Sequence, residues 1–183
     1  GTSESVVVEA DDTAQAKIET VVDKGQLHIR AVRGSMFNTS RLNVTVNLRS
    51  IDSLALAGSG DVHAARLTLP QLKLAIAGSG DAKFDVLEVE ALSLAISGSG
   101  DITAAGKAAK VDAKLRGSGE MKLGRLASKN LNLAVAGSGN ATVWATESLT
   151  VSVAGSGDVR YYDGGKVTSS VAGSGSITRV GAA

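Results

Sequence analysis

The segment Leu92-Ser93-Leu94-Ala95-Ile96-Ser97-Gly98-Ser99-Gly100-Asp101-Ile102-Thr103-Ala104 contains the plan of the molecule. Leu92, Leu94 and Ile96 alternate with small polar or methyl side chains, a period of two that sends the apolar groups to one face of a β-strand. Gly98-Ser99-Gly100 interrupts the strand, an acid follows, and the alternation resumes with Ile102 and Ala104. The same triplet begins at Gly58, Gly78, Gly98, Gly117, Gly137, Gly155 and Gly173, at intervals of 18 to 20 residues. A turn of fixed sequence returning at that interval predicts a solenoid, in which no coil buries its apolar face until its neighbours stack on it.

Aligned on the triplet, the repeats form columns. Two residues before it stand Leu56, Ile76, Ile96, Leu115, Val135, Val153 and Val171, and four before it Leu54, Leu74, Leu94, Ala113, Leu133, Val151 and Ser169. After the corner come Val62, Ala82, Ile102, Met121, Ala141, Val159 and Ile177, then Ala64, Phe84, Ala104, Leu123, Val143, Tyr161 and Arg179. Such ladders are expected where equivalent residues stack about 4.8 Å apart in neighbouring strands. Stretches such as Leu67-Thr68-Leu69 and Leu87-Glu88-Val89 supply a short third side. The expected fold is therefore all-β, a three-sided parallel β-helix with 18 to 20 residues per coil. Glycine suits the corners because a sharp change of direction favours positive φ.

Composition sets the outer bounds. The chain has 183 residues and a net charge of +1, and its acids and bases are interspersed. No basic stripe forms, which argues against a nucleic-acid partner. There is no cysteine, so disulfides and thiolate metal sites are excluded. No apolar run approaches the roughly 20 residues of a membrane helix, and no signal segment is visible at the start. Gly1 is read as a remnant ahead of a chain whose leader has been removed.

The repeats are expected to occupy residues 42–183. Residues 1–41 lack the triplet and are expected to form a small β-section that caps the first coil, because a solenoid must hide the unpaired strand edges at its ends. Its strands are predicted at Ser5–Glu9, Lys17–Val22 and Gln26–Arg30, the last two joined through Asp23-Lys24-Gly25 as a hairpin.

These features together are specific. The Gly-Ser-Gly-Asp corners, preceded by Val8-Glu9-Ala10-Asp11-Asp12, Ile18-Glu19-Thr20 and Gly25-Gln26-Leu27-His28-Ile29, resemble the head GIN domain family of "putative auto-transporter adhesins" over nearly the whole chain. That resemblance implies a single-stranded right-handed parallel β-helix, exported from a bacterium through a signal peptide or lipoprotein anchor to the periplasm, outer membrane or cell surface. The family's usual strand before Ser3 is missing, which points to truncation. Its proline after the Tyr161-Tyr162 pair is replaced by Gly164-Gly165. The resemblance brings no catalytic residues.

Three candidate sites emerge. Each corner is followed by Asp61, Asp81, Asp101, Glu120, Asn140, Asp158 or Ser176. Stacked carboxylates repel, so they need calcium or local hydrogen bonds and basic neighbours. Asn140 and Ser176 favour structural capping by N–H groups of each residue's own corner, with His63, Lys83, Lys122 and Arg160 supplying positive charge, and no metal or other cofactor. Second, Trp144 and Tyr162 fall on adjacent coils four residues after the acid position, in one column with Gly124. They could grip a sugar ring or a protein partner, or simply cover the core. Third, the alanines before each corner make a flat face interrupted by Lys114 and Arg116. Catalysis is disfavoured, because 18 to 20 residues per coil leave no long loops to build a cleft. His28 and His63 lie apart without catalytic context. The expected function is a non-enzymatic exported scaffold that binds a protein or glycan, with self-association through the C-terminal end. A polysaccharide lyase or hydrolase and a calcium-dependent module stand as alternatives.

Overall fold

The computed structural model describes residues 4–10, 17–23, 25–32, 42–48, 50–163 and 165–182. Asp11, Asp12, Lys24 and Gly164, and the expected boundary residue at position 41, lie outside them. Every regular element among the described residues is a strand. The chain divides into two compact units, Gly1–Ser50 and Ile51–Ala183.

In the first unit, β1 (Ser5–Ala10) pairs antiparallel with β4 (Leu42–Asn47), setting Val6 opposite Val46 and Val8 opposite Val44. The hairpin expected at Gly25 is present: β2 (Ile18–Asp23) pairs antiparallel with β3 (Gln26–Ala31), and Gly25 takes a φ of 77°. Glu19 faces Arg30, whose Nε donates to Glu19 Oε2 at 2.9 Å. The segment from Leu42, read from the sequence as the opening of the repeats, belongs instead to this antiparallel pair. Alternation at Leu42, Val44 and Val46 specifies a strand but carries no information about its partner.

The second unit is the solenoid. Its strands are β5 (Ser53–Gly58), β6 (Val62–Ala64), β7 (Leu67–Gly78), β8 (Ala82–Gly98), β9 (Ile102–Gly117), β10 (Glu120–Gly137), β11 (Asn140–Gly155), β12 (Val159–Asp163), β13 (Lys166–Gly173) and β14 (Ile177–Gly181). Each pairs in parallel with an adjacent coil, and the first corner glycines stack in register from Gly58 through Gly78, Gly98, Gly117, Gly137 and Gly155 to Gly173. Each full coil has a side leading into the corner, a side leaving it, and a third side such as Leu87 to Val89, which pairs with Leu67 to Leu69.

The predicted columns form the core. Leu74, Leu94, Leu133, Ile76, Ile96, Ile102, Met121 and Phe84 are buried, while Leu54 and Leu56 of the first coil are partly buried and pack against that cluster. Coils of unequal length share one ladder because the difference is absorbed at the second bend. There the register slips between Phe84 and Leu87 in β8, and around Lys122 to Ala127 in β10. Where one residue is lost, Gly106 pairs with Leu87 at a φ of 128° that other residues rarely adopt.

Candidate functional site

The two glycines of each corner serve different needs. The first has φ between 100° and 136°, which alone favours glycine. From the second coil on, a Cβ there would also collide with the first corner glycine's carbonyl oxygen in the coil before. The second glycine of each triplet has no such φ, yet from Gly80 on a Cβ would strike the corresponding carbonyl below. Between them the serine N–H donates to the first glycine's carbonyl in the preceding coil, as from Ser99 to Gly78 at 2.9 Å.

The acids after the corners form a ladder of a different kind from the one expected. Asp61 Oδ1 accepts the N–H of Asp81 at 3.0 Å, Asp81 Oδ1 that of Asp101 at 2.9 Å, and Asp101 Oδ1 that of Glu120 at 2.9 Å. Asn140 Oδ1 accepts from Asp158 N–H, and Asp158 Oδ1 from the N–H and hydroxyl of Ser176. Asp61, Asp81, Asp101, Asn140 and Asp158 therefore bond the next coil's corner and not their own, because that N–H points back along the stacking direction toward the oxygen. Glu120 interrupts the ladder, and the Asn140 N–H donates instead to the Gly119 carbonyl at 3.2 Å. The amide of Asn140 serves as well as a carboxylate, since one acceptor oxygen suffices. Among the described residues no three His, Asp or Glu side chains are grouped so as to hold a metal ion.

Basic neighbours follow the expectation only in part. Lys122 pairs with Asp101 at 2.9 Å and with Glu120 at 3.3 Å, and the hydrogen bond it donates to Asp101 raises its pKa. His63 and Lys83 instead converge on Asp85, at 2.6 and 3.0 Å, and hold its pKa below the ordinary value, the His63 hydrogen bond first. Side chains two residues apart on a strand face lie within reach of one another in either direction, and Asp85 lies on the far side of Lys83 from the corner. Arg160 is exposed and has no carboxylate within 4.0 Å among the described residues.

The outward aromatics come together. Trp144 in β11 and Tyr162 in β12 are register partners, and both are half-buried. Trp144 Nε1 donates to Asp163 Oδ2 at 2.9 Å, and Asp163 is the one non-glycine described residue with positive φ, 54°. Aspartate tolerates this left-handed geometry better than most residues. The Tyr162 ring lies against Gly124 and Thr142: a Cβ on Gly124 would be 3.0 Å from both Tyr162 Cε2 and Thr142 Cγ2. Counting residues placed Trp144 over Gly124, but the slip at the second bend pairs it with Ala127. Beneath it, Ser128, the one buried polar residue among those described, donates its hydroxyl to the Trp144 carbonyl at 2.5 Å. Thr142 and Arg160 are also register partners, so Thr142, Trp144, Arg160 and Tyr162 make a two-by-two patch with Asp163 at its border.

The sequence pattern of "Putative auto-transporter adhesin, head GIN domain" matches residues 1–165. The chain belongs to this family. Solved structures of GIN-domain-like shape include a "putative adhesin" from Bacteroides fragilis NCTC 9343, 23% identical over 97% of this chain and 83% of that one, with a TM-score of 0.87. Two from Parabacteroides distasonis ATCC 8503 are a "putative adhesin", 24% identical over 96% and 83% with a TM-score of 0.76, and a "putative lipid binding protein", 23% identical over 96% and 83% with a TM-score of 0.74. At these identities the likeness is one of fold. No curated protein matches the chain. In this GIN domain the sequence reading found Trp144 and Tyr162, and Gly124 in their column, but not Asp163, Ser128 or the part Gly124 plays as the seat of the Tyr162 ring. The two glycines that follow Asp163 in the sequence were the available signal.

Proposed function

We propose that this GIN domain is a non-catalytic binding module of an exported or surface-attached adhesin, and that the patch of Thr142, Trp144, Arg160 and Tyr162 holds an acidic sugar. The observation that carries this reading is the fixed aromatic pair beside an arginine without a carboxylate partner. The Trp144 indole is oriented by Asp163, its backbone carbonyl is held by Ser128, and the Tyr162 ring is seated on Gly124, so the rings lose little freedom when a sugar stacks on them. Arg160 supplies a planar donor fork for a uronate carboxylate, and Thr142 a hydroxyl. The family and neighbour names support adhesion as the broad role.

The polysaccharide-cleaving alternative would need paired carboxylates in a cleft. The shallow trough along the third side does carry Glu88 and Glu90, but both are exposed and its floor is apolar, with Leu69, Val89 and Ala108. Binding to uronic-acid and neutral oligosaccharides, measured by calorimetry with products followed by chromatography, tests the proposal. Uronate oligomers should bind, Arg160→Met and the double change Trp144→Ala with Tyr162→Ala should each weaken binding at least tenfold, and no product should form. Equal binding of neutral sugars, or retention by the well-folded double variant, would overturn the site, and product formation would overturn the non-catalytic reading.

A further inference from the structure

We propose that the solenoid forms a two-fold dimer through the edge of β13, with Ser169 on the symmetry axis. The argument begins with the direction of the backbone groups. Ser174 N–H donates to the Gly155 carbonyl. In a parallel ladder the groups aimed at one neighbour recur at every second residue, so Thr168, Ser170 and Ala172 aim at β11. The same phase holds in an earlier coil, where Lys73 and Ser79 donate to Asp52 and Gly58. Val167, Ser169 and Val171 therefore direct N–H and C=O away from β11. Among the described residues β13 pairs with β11 alone, and these six groups meet no other described strand.

The side chains of the same three residues continue the inner columns, stacking in register on the buried Leu149, Val151 and Val153. Yet Val167 and Val171 are 37% and 44% exposed. An exposed, uncharged strand edge is a template for another strand.

The occupant is a second copy, because the strand is complementary to itself. The stretch Val167-Thr168-Ser169-Ser170-Val171 reads nearly alike in both directions. Antiparallel pairing about Ser169 sets Val167 against the partner's Val171, Ser169 against the partner's Ser169, and Thr168 against the partner's Ser170. Lys166 falls opposite the partner's Ala172, so no like charges meet. In this register the three edge-directed residues of each copy form the hydrogen-bonded pairs of an antiparallel ladder, and all six N–H groups of the two strands are satisfied. The inner faces coincide, so the valines of both copies join one apolar layer. The neighbouring strand β14 does not share this property: exposed Arg179 stands at an inner-column position, a charge that protects an edge from pairing.

One paired strand buries less than the roughly 1,000 Å² of a stable complex, so the dimer should form reversibly and be populated toward millimolar concentration. Sedimentation velocity and amide exchange by NMR on the 183-residue chain test it. The sedimentation coefficient should rise with concentration, and protection at Val167, Ser169 and Val171 should rise with it, while Thr168 and Ser170 stay protected throughout. Ser169→Glu and Ser169→Lys each place like charges against themselves on the axis and should weaken the dimer at least tenfold, whereas their equimolar mixture should restore it. A monomer at millimolar concentration, free exchange of the three amides there, or a dimer indifferent to Ser169→Glu would each overturn the proposal. The amide measurement uses the unaltered chain and so does not depend on how the variants fold.

Discussion

At the scale of single residues, the corner shows two separable reasons for glycine. Gly58 and Gly98 both have positive φ, 100° and 136°, but a Cβ on Gly58 meets nothing within 4 Å, whereas one on Gly98 collides with the Gly78 carbonyl. Gly58→Ala should therefore cost about 1–2 kcal/mol, the penalty of the backbone conformation alone. Gly98→Ala adds a clash with backbone that can yield only by parting two coils, and should cost more than about 4 kcal/mol. Urea denaturation monitored by circular dichroism gives both values, and equal costs would mean that conformation, not stacking, selects the glycine. A companion case is Ser128, whose hydroxyl satisfies the Trp144 carbonyl from inside the core. Ser128→Ala should lower stability by about 1–3 kcal/mol, the cost of an unsatisfied buried acceptor, and broaden the Trp144 indole resonance.

At the scale of the element, the acids after the corners act as links between coils. Asp81 accepts from the Asp101 N–H above it and donates its own N–H to Asp61 below. Asn140 accepts from the coil above in the same way without charge, so Asp81→Asn should leave the melting temperature nearly unchanged, while Asp81→Ala removes one acceptor and should cost about 1 kcal/mol. Addition of millimolar calcium should leave the melting temperature where it was. A calcium-dependent rise reversed by chelation would show that the ladder binds the ion in its native state. The strands, the corner positions and the inner columns were legible because the triplet recurs and the side chains alternate. What the sequence left hidden has a common cause. Residue counting is blind to where a shortened coil loses its residues, so the slip that pairs Trp144 with Ala127 was invisible. It is equally blind to partners across the ladder, so the acids were assigned to their own corners and Leu42–Asn47 to the solenoid. The aromatic pair was visible, but the Asp163 and Ser128 bonds that fix it depend on coil-to-coil register.

At the scale of the whole molecule, the solenoid is a one-dimensional stack in which each coil is stabilised by the coils on its two sides. Its core column makes that dependence measurable, because the same side chain recurs with different numbers of neighbours. Leu94 is 1% exposed, between Leu74 on one side and Ala113 on the other. Leu54 stands in the same column but is only partly buried, with Leu74 as its partner in the ladder. Truncating Leu94 removes contacts with both neighbours and leaves a cavity closed by rigid strands, so Leu94→Ala should cost about 3–5 kcal/mol, near the upper range for buried leucine. Leu54 has less area to lose and space into which its surroundings can relax, so Leu54→Ala should cost about half as much or less. Denaturant titration of the two variants should show the larger loss at Leu94. Native-state amide exchange should show the corresponding gradient, slowest in β8 to β11 and faster in β5 and β13. Equal losses at the two leucines, with uniform exchange from β5 to β13, would mean that the stack opens as a single unit and that neighbour number does not set local stability.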